Sequence, residues 1–162
     1  MSLRIRHADG ADHAGIAQII LPVIRAGETY ALNRDLPEAE ALAYWTGVDR
    51  ETFVAEWDGA MLGTYYLRAN QAGGGAHVAN CGLMTEAAAS GRGIARAMCA
   101  HALDRARARG FAAMQFNFVV STNVRAVRLW HSFSFDTVGR LPGAFRHPGL
   151  GEVDALVMFR RL

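Results

Sequence analysis

Between Thr85 and Met98 the chain reads TEAAASGRGIARAM, which sets Gly91, Arg92, Gly93, Ile94, Ala95 and Arg96 between a strand-like apolar run and an Ala- and Arg-rich run of helical character. A turn of that kind opens a helix whose first backbone N–H groups lack intrahelical partners and whose end is electropositive, so it favours a bound anion. Gly91 and Gly93 let the chain approach that anion closely. A dinucleotide fingerprint GxGxxG fails because Arg96 stands at the third glycine position, and no lysine follows as in a P-loop GxxxxGK[ST]. Two readings remain: the pyrophosphate of another carrier, or a Gly-rich helix start without a ligand.

Asn117 interrupts the apolar run FNFVV. An unsatisfied amide there would cost ~1–3 kcal/mol, so it needs a partner. That partner is either backbone of a splayed neighbouring strand or a substrate carboxylate or carbonyl. Asn80 is similarly placed in AHVANCG, and two neutral amides suit an uncharged, hydrogen-bonding grip on an α-amino acid. Asn123 suits a helix N-cap, a role compatible with ligand binding. Cys81 has no His/Asp arrangement around it and reads as a buried structural thiol rather than a nucleophile. Glu28, His77 or a water chain ending at them are candidate proton acceptors. Arg146 and His147 are candidates to meet a substrate carboxylate. Each of these four equally suits a solvated surface.

The elements that would position these groups follow from periodicity. Leu3 to His7 alternates like a half-buried strand. Asp12 offers an N-cap before Ile16, Ile19, Ile20 and Val23 at helical spacing, and Pro22 is expected to kink or end that helix. Asp35, three residues before Glu38, with Pro37 in the first turn, starts a second helix towards Trp45. Thr52–Trp57 and Met61–Leu67 are β-prone runs joined by Asp58 and Gly59, a hairpin signal. After the AGGGA loop comes a strand from about Ala76 to Thr85, then a helix from Ile94 to Arg109 ended by Gly110. Ala113 to Val120 reads as a central strand buried on both faces. A helix over Asn123–Phe133 follows, then closing strands at Phe135–Arg140 and Asp154–Arg160. LPGAFRHPGLG between them is expected to loop over the site, with AGGGA as a second wall of a small pocket. The class is α/β, a single domain over 1–162 with helices flanking a mixed central sheet.

Composition excludes several functions. The 162 residues, 51% of them hydrophobic, suffice for one core without metal or disulfide. Against 17 Lys and Arg stand 15 Asp and Glu, a net +2 too small for a nucleic-acid or membrane-surface field. Cys81 and Cys99 lack metal-site spacing and are expected to be free thiols in a reducing cytoplasm. No run approaches the ~18–20 apolar residues of a membrane span. A soluble cytoplasmic protein is expected.

From Gly91 onward, GRGIA is similar to the central motif of the GNAT superfamily of N-acetyltransferases, in which Gln or Arg, two residues, Gly, one residue and Gly or Ala hold the pyrophosphate of acetyl-CoA. Ser90 departs from it at the Gln or Arg position. STNVRAVRLWHSFSFDTVG resembles the second motif of that superfamily through Asn123, Ala126, Leu129, Trp130 and Phe135. Two such motifs in order, about thirty residues apart, are far more specific than either alone. The resemblance implies a GNAT fold with splayed central strands, acetyl-CoA as cosubstrate, Asn123 on the pantetheine arm and Trp130 near the thioester sulfur. A tyrosine usually stands there as acid for the leaving thiolate, a task an indole cannot perform. A water or another hydroxyl must then protonate the thiolate, or CoA leaves as thiolate.

QFNFVVSTNVRAVRLW, with HVANCGLMT before it and VGRLPGAFRHP after it, further resembles fungal acetyltransferases of proline analogues such as azetidine-2-carboxylate. By that resemblance Asn80 and Asn117 bind or orient amino acid and thioester, and Asn123 holds CoA. The expected chemistry is direct attack of a neutral amine on the acetyl carbonyl in a ternary complex, with backbone amide from about Leu83, Met84 and Thr85 stabilising the oxyanion. A homodimer is expected from the strand pairing frequent in the superfamily. The rival readings are a non-catalytic acetyl-CoA-binding module, suggested by Ser90, Trp130 and Ser134, and a protein or peptide N-acetyltransferase.

Overall fold

A computed structural model describes residues 2–162. The elements run β1 (Leu3–His7), α1 (His13–Ala26), α2 (Glu38–Trp45), β2 (Glu51–Trp57), β3 (Ala60–Ala69), β4 (Val78–Thr85), α3 (Ile94–Ala108), β5 (Ala113–Val120), α4 (Val124–Ser132), β6 (Asp136–His147) and β7 (Gly151–Arg161). Asp58 and Gly59 both hold positive φ, 49° and 85°, the geometry of a two-residue hairpin turn, so β2 and β3 pair antiparallel. All seven strands form one sheet in the order β1-β2-β3-β4-β5-β7-β6, antiparallel throughout except for β4 with β5. That one parallel junction needs a crossover, which α3 supplies.

The helices cover both faces. Ile16, Ile19, Ile20 and Ile24 fall on one stripe of α1 and bury it, with Trp45 of α2, against Val54, Tyr66 and Met84. Met98, Cys99, Ala102 and Ala106 of α3 pack on the opposite face against Leu67, Ala79 and Met114. No helix among the described residues is long and apolar enough to cross a membrane.

Four local expectations are corrected. Pro22 does not end α1, which continues to Ala26 and stops at Gly27 in the left-handed region. Pro22 and Gln18, whose carbonyl it leaves without a helical partner, are exposed, so water replaces that bond while the buried isoleucines hold the helix. Asp12 does not cap α1 with its side chain. Its carboxylate accepts from Arg6 at 2.8 and 2.9 Å and from the Asp9 N–H at 2.8 Å. Asp35 is not the cap of α2 either, since Pro37 takes that place without a side-chain bond. LPGAFRHPGLG is not a loop over the site: β6 and β7 run on as one hairpin with register shifts at Thr137/Gly139 and Leu141/Phe145 and a turn at 148–150. Pro142 is tolerated because β6 is an edge strand, where a missing N–H leaves no ladder bond broken on its open side.

The start of β2 is tied to the end of α3. Glu51 accepts from Arg105 at 2.8 and 2.6 Å and lies 3.8 Å from Arg109. The Arg105 bonds hold its carboxyl below the ordinary value of 4.5. A depressed folded pKa means that the stabilisation is complete above about pH 4.5 and is lost as pH falls through the lower folded value. Glu51→Gln is therefore expected to cost ~1 kcal/mol near neutrality and to flatten the acid limb of stability. Urea unfolding of both proteins across that range measures it, and parallel acid limbs would refute the assignment.

Candidate active site

β4 and β5 pair only through Val78 with Ala113 and Ala79 with Met114. Beyond that point the strands diverge, and the Asn80 amide spans the fork by donating to the Gln115 carbonyl at 2.9 Å. The splay leaves the β5-facing edge of β4 without a ladder partner and opens a slot through the sheet. Asn117, expected inside a strand buried on both faces, is exposed because of it. Its partners are side chains: it donates to Asn70 Oδ1 at 2.7 Å and accepts from Gln115 Nε2 at 2.9 Å.

On one side of the slot lies a cleft of about 560 Å³ bounded by the end of β4, the turn before α3, and α4. Gly91 and Gly93 have φ of 83° and 77°, conformations that glycine adopts without strain. They aim the first amides of α3 into the cleft. Among the described residues, the N–H groups of Gly91, Gly93, Ile94, Ala95 and Arg96 have no backbone acceptor, the helix ladder starting with Ala97 to Gly93 at 3.0 Å. Arg92 is a correction: its N–H is already bonded to the Ala89 carbonyl at 3.2 Å, and its side chain lies outside the cleft. The Ser90 hydroxyl accepts from Arg125, so a guanidinium from α4 stands at the rim where the sequence showed a missing Gln or Arg. Arg96, Arg125 and Arg128 all line this cleft, which makes it strongly cationic. Leu83 and Thr85 face it. Met84 is a further correction: its side chain points the other way into the α1 core, and the residue does not line the cleft.

On the other side lies a cavity of about 220 Å³, walled by Tyr30, Tyr44, Tyr66, Arg68, Asn80, Cys81, Gly82 and Asn117 among others. The two spaces share Leu83, Asn123, Ala126 and Trp130 and so meet at the slot. Asn123 caps α4, accepting from the Ala126 N–H at 3.4 Å, and also faces both spaces. Trp130 likewise serves core and cleft, packing on Phe116 with ring centroids 4.5 Å apart. Tyr30 donates to the Leu83 carbonyl at 2.9 Å, bringing the α1–α2 connection over the cavity; burial raises its pKa, so the phenol stays neutral. Burial also pushes the Cys81 thiol up, against a nucleophilic role.

The other candidates are not brought here. Glu28 and His77 are exposed and line neither space. Arg146 pairs with Glu152 at 3.3 Å, and His147 accepts turn amides of Gly149 and Leu150 at 3.0 and 3.2 Å, both in the β6–β7 hairpin. Gly73–Gly75 forms a 3-10 turn away from the cavity rather than one of its walls. Sequence reading missed Tyr30, Tyr44, Tyr66, Arg68 and Arg125. Residues 64, 66 and 68 alternate onto one face of β3, and that period-two pattern was the available signal for Tyr66 and Arg68.

The acetyltransferase (GNAT) family profile matches residues 22–135. The chain is 28% identical over 151 residues to N-acetyltransferase aca1 of Schizosaccharomyces pombe, covering 83% of this chain and 72% of that one. It is similar to the structure of a GCN5-related N-acetyltransferase from Kribbella flavida, with a TM-score of 0.93 and 43% identity over 99% of this chain and 98% of the other. It also shares the fold of a GNAT superfamily phosphinothricin acetyltransferase from Sinorhizobium meliloti, solved with acetyl-CoA, at a TM-score of 0.87 and 23% identity, covering 100% and 89% of the two chains. A helix-end anion cradle, a splayed sheet and a family match that spans both motifs agree, and the chain belongs to the acetyltransferase (GNAT) family.

Proposed function

We propose that this protein transfers the acetyl group of acetyl-CoA to the amine of a small amino or imino acid by direct attack in a ternary complex. The observation that carries this reading is the meeting of the cationic cleft and the small cavity at Leu83, Asn123, Ala126 and Trp130. Acetyl-CoA is the cosubstrate, and it supplies an acetyl group activated as a thioester. The amides of Gly91 and Gly93 to Arg96 suit its pyrophosphate, with Arg96, Arg125 and Arg128 adding charge. Asn123 then lies where the carrier's arm would pass into the slot. Backbone N–H on the open edge of β4, between Leu83 and Thr85, is placed to stabilise negative charge growing on the acetyl oxygen. Asn80 and Asn117 orient the acceptor. Among the described residues no carboxylate or imidazole lines the cavity, so on this reading the amine loses its proton to water rather than to a side chain. Cavity size supports a small acceptor over a peptide. On the same reading the chain works in a reducing cytoplasm, where the buried Cys81 and Cys99 remain thiols, and as a homodimer, for which exposed Val138 and Leu141 on edge strand β6 offer a surface.

CoA release measured over amino acids, cyclic imino acids, polyamines and peptides tests this. Turnover is expected on small amino or imino acids, and Asn117→Ala should lower kcat/KM by about tenfold through loss of an acceptor-orienting amide. Tight acetyl-CoA binding without turnover on any acceptor would instead identify a binding module.

A further inference from the structure

We propose that Arg68 recognises the carboxylate of the acceptor, so that the cavity selects amino or imino acids with a free acid group over their amides and decarboxylated amines. This rests on the acetyl-transfer reading above. In the β3–β4 register Arg68 stands opposite Asn80, and Tyr66 opposite Gly82, so Arg68, Tyr66 and Asn80 project to the same side of the sheet. All three line the cavity, and among the described residues Arg68 is its one charged lining residue.

The guanidinium is not used up by the protein. Among the described residues its nitrogens make no hydrogen bond, and its Nε is buried without a partner. The carboxylate near it is that of Asp49, 3.7 Å from Nη1, and the same group lies 3.4 Å from Nε of Arg50. The Arg50 side chain is 8% exposed and its Nη1 is also buried without a partner. It is held between the rings of Tyr44 and Tyr66, 4.2 and 4.4 Å from their centroids. Two guanidinium groups thus share one carboxylate, itself 64% exposed, and a net positive charge remains at the cavity wall. Leaving charged donors unpaired in a half-buried site is costly unless a ligand completes them. A guanidinium offers five N–H donors in a planar fork that matches a carboxylate.

The same charge serves the chemistry. A cation in the wall disfavours the ammonium form of the acceptor, and with its carboxylate on Arg68 the acceptor offers a neutral amine to the thioester.

The test measures kcat/KM at saturating acetyl-CoA for matched acceptors: a free amino acid, its amide and its decarboxylated amine, in the native enzyme, Arg68→Gln and Arg68→Lys. The native enzyme is expected to prefer the acid to the amide by roughly 30-fold or more. That ratio should fall towards one in Arg68→Gln and recover partly in Arg68→Lys. Equal use of acid and amide by the native enzyme, or equal losses on both in Arg68→Gln, would overturn the assignment while leaving acetyl transfer standing. No turnover of any acceptor despite tight acetyl-CoA binding would overturn the acetyl-transfer reading itself and this inference with it. Should Arg68→Gln fail to fold, the native acid-to-amide ratio still decides.

Discussion

Gly93→Val is expected to weaken acetyl-CoA binding by about 100-fold or more, which corresponds to roughly 2.7 kcal/mol. Two effects act together. Gly93 is the N-cap of α3 at φ 77°, a conformation that costs a side-chain-bearing residue ~1–2 kcal/mol and more for a β-branched one. A Cβ there meets no protein atom within 4 Å, so the added bulk occupies open space at the cradle rather than core. The backbone must either hold a strained conformation or turn its amides out of the cleft. Titration calorimetry with acetyl-CoA measures the loss, with far-ultraviolet circular dichroism to show that α3 persists. A variant that binds acetyl-CoA within about threefold of the native protein would mean that the pyrophosphate lies elsewhere.

The second large effect is expected at Gly82, in the cavity rather than the cleft. A Cβ at this position would lie 2.5 Å from Cε2 and 2.8 Å from Cζ of Tyr66, separations that real Cβ atoms essentially never show, and 3.0 Å from its Oη. The ring cannot yield easily, because it packs edge-on against Trp45 at 4.9 Å and under Arg50 at 4.4 Å. Gly82→Ala should therefore drive the Tyr66 ring into the acceptor space, lowering kcat/KM for the acceptor by about 100-fold and stability by ~1–3 kcal/mol. Acetyl-CoA binding should persist, since Gly82 does not line the cleft. Pairing it with Tyr66→Leu removes the clash, so the double variant should regain stability beyond the sum of the single changes. If Gly82→Ala turns over acceptor as the native enzyme does, the ring does not stand where the geometry places it.

The two glycines differ in how far the sequence reveals them. Gly93 sits in a local pattern: a strand, a glycine-bearing turn and a helix are consecutive, so their meaning is carried by neighbours along the chain. The same holds for Asn123, whose capping role follows from opening α4 directly after β5. Gly82 shows nothing unusual in its own stretch, since its constraint comes from Tyr66 on the neighbouring strand. Asn80 and Asn117 illustrate the division. Their residue type in apolar runs was legible, yet the backbone partner that was one of two alternatives for Asn117 belongs to Asn80, because which amide meets the Gln115 carbonyl depends on where the two strands part. Likewise LPGAFRHPGLG carries Pro and Gly that read as a loop, and pairing with β7 overrides them through bulges at an edge.

By itself the sequence determined the order and type of nearly every element, the glycine-bearing turn before α3 and the two motifs, because these depend on periodicity, capping and turn chemistry over a few residues. The tertiary structure alone decided the small cavity beside the slot. Tyr30, Tyr44 and Arg68 come from segments far apart in the chain, Arg125 reaches Ser90 across 35 positions, and their convergence depends on the register of β3 with β4 and on the divergence of β4 from β5. Neither is written in any local pattern, since a strand's partners and the point at which it leaves them are set by packing of the helices on both faces of the sheet.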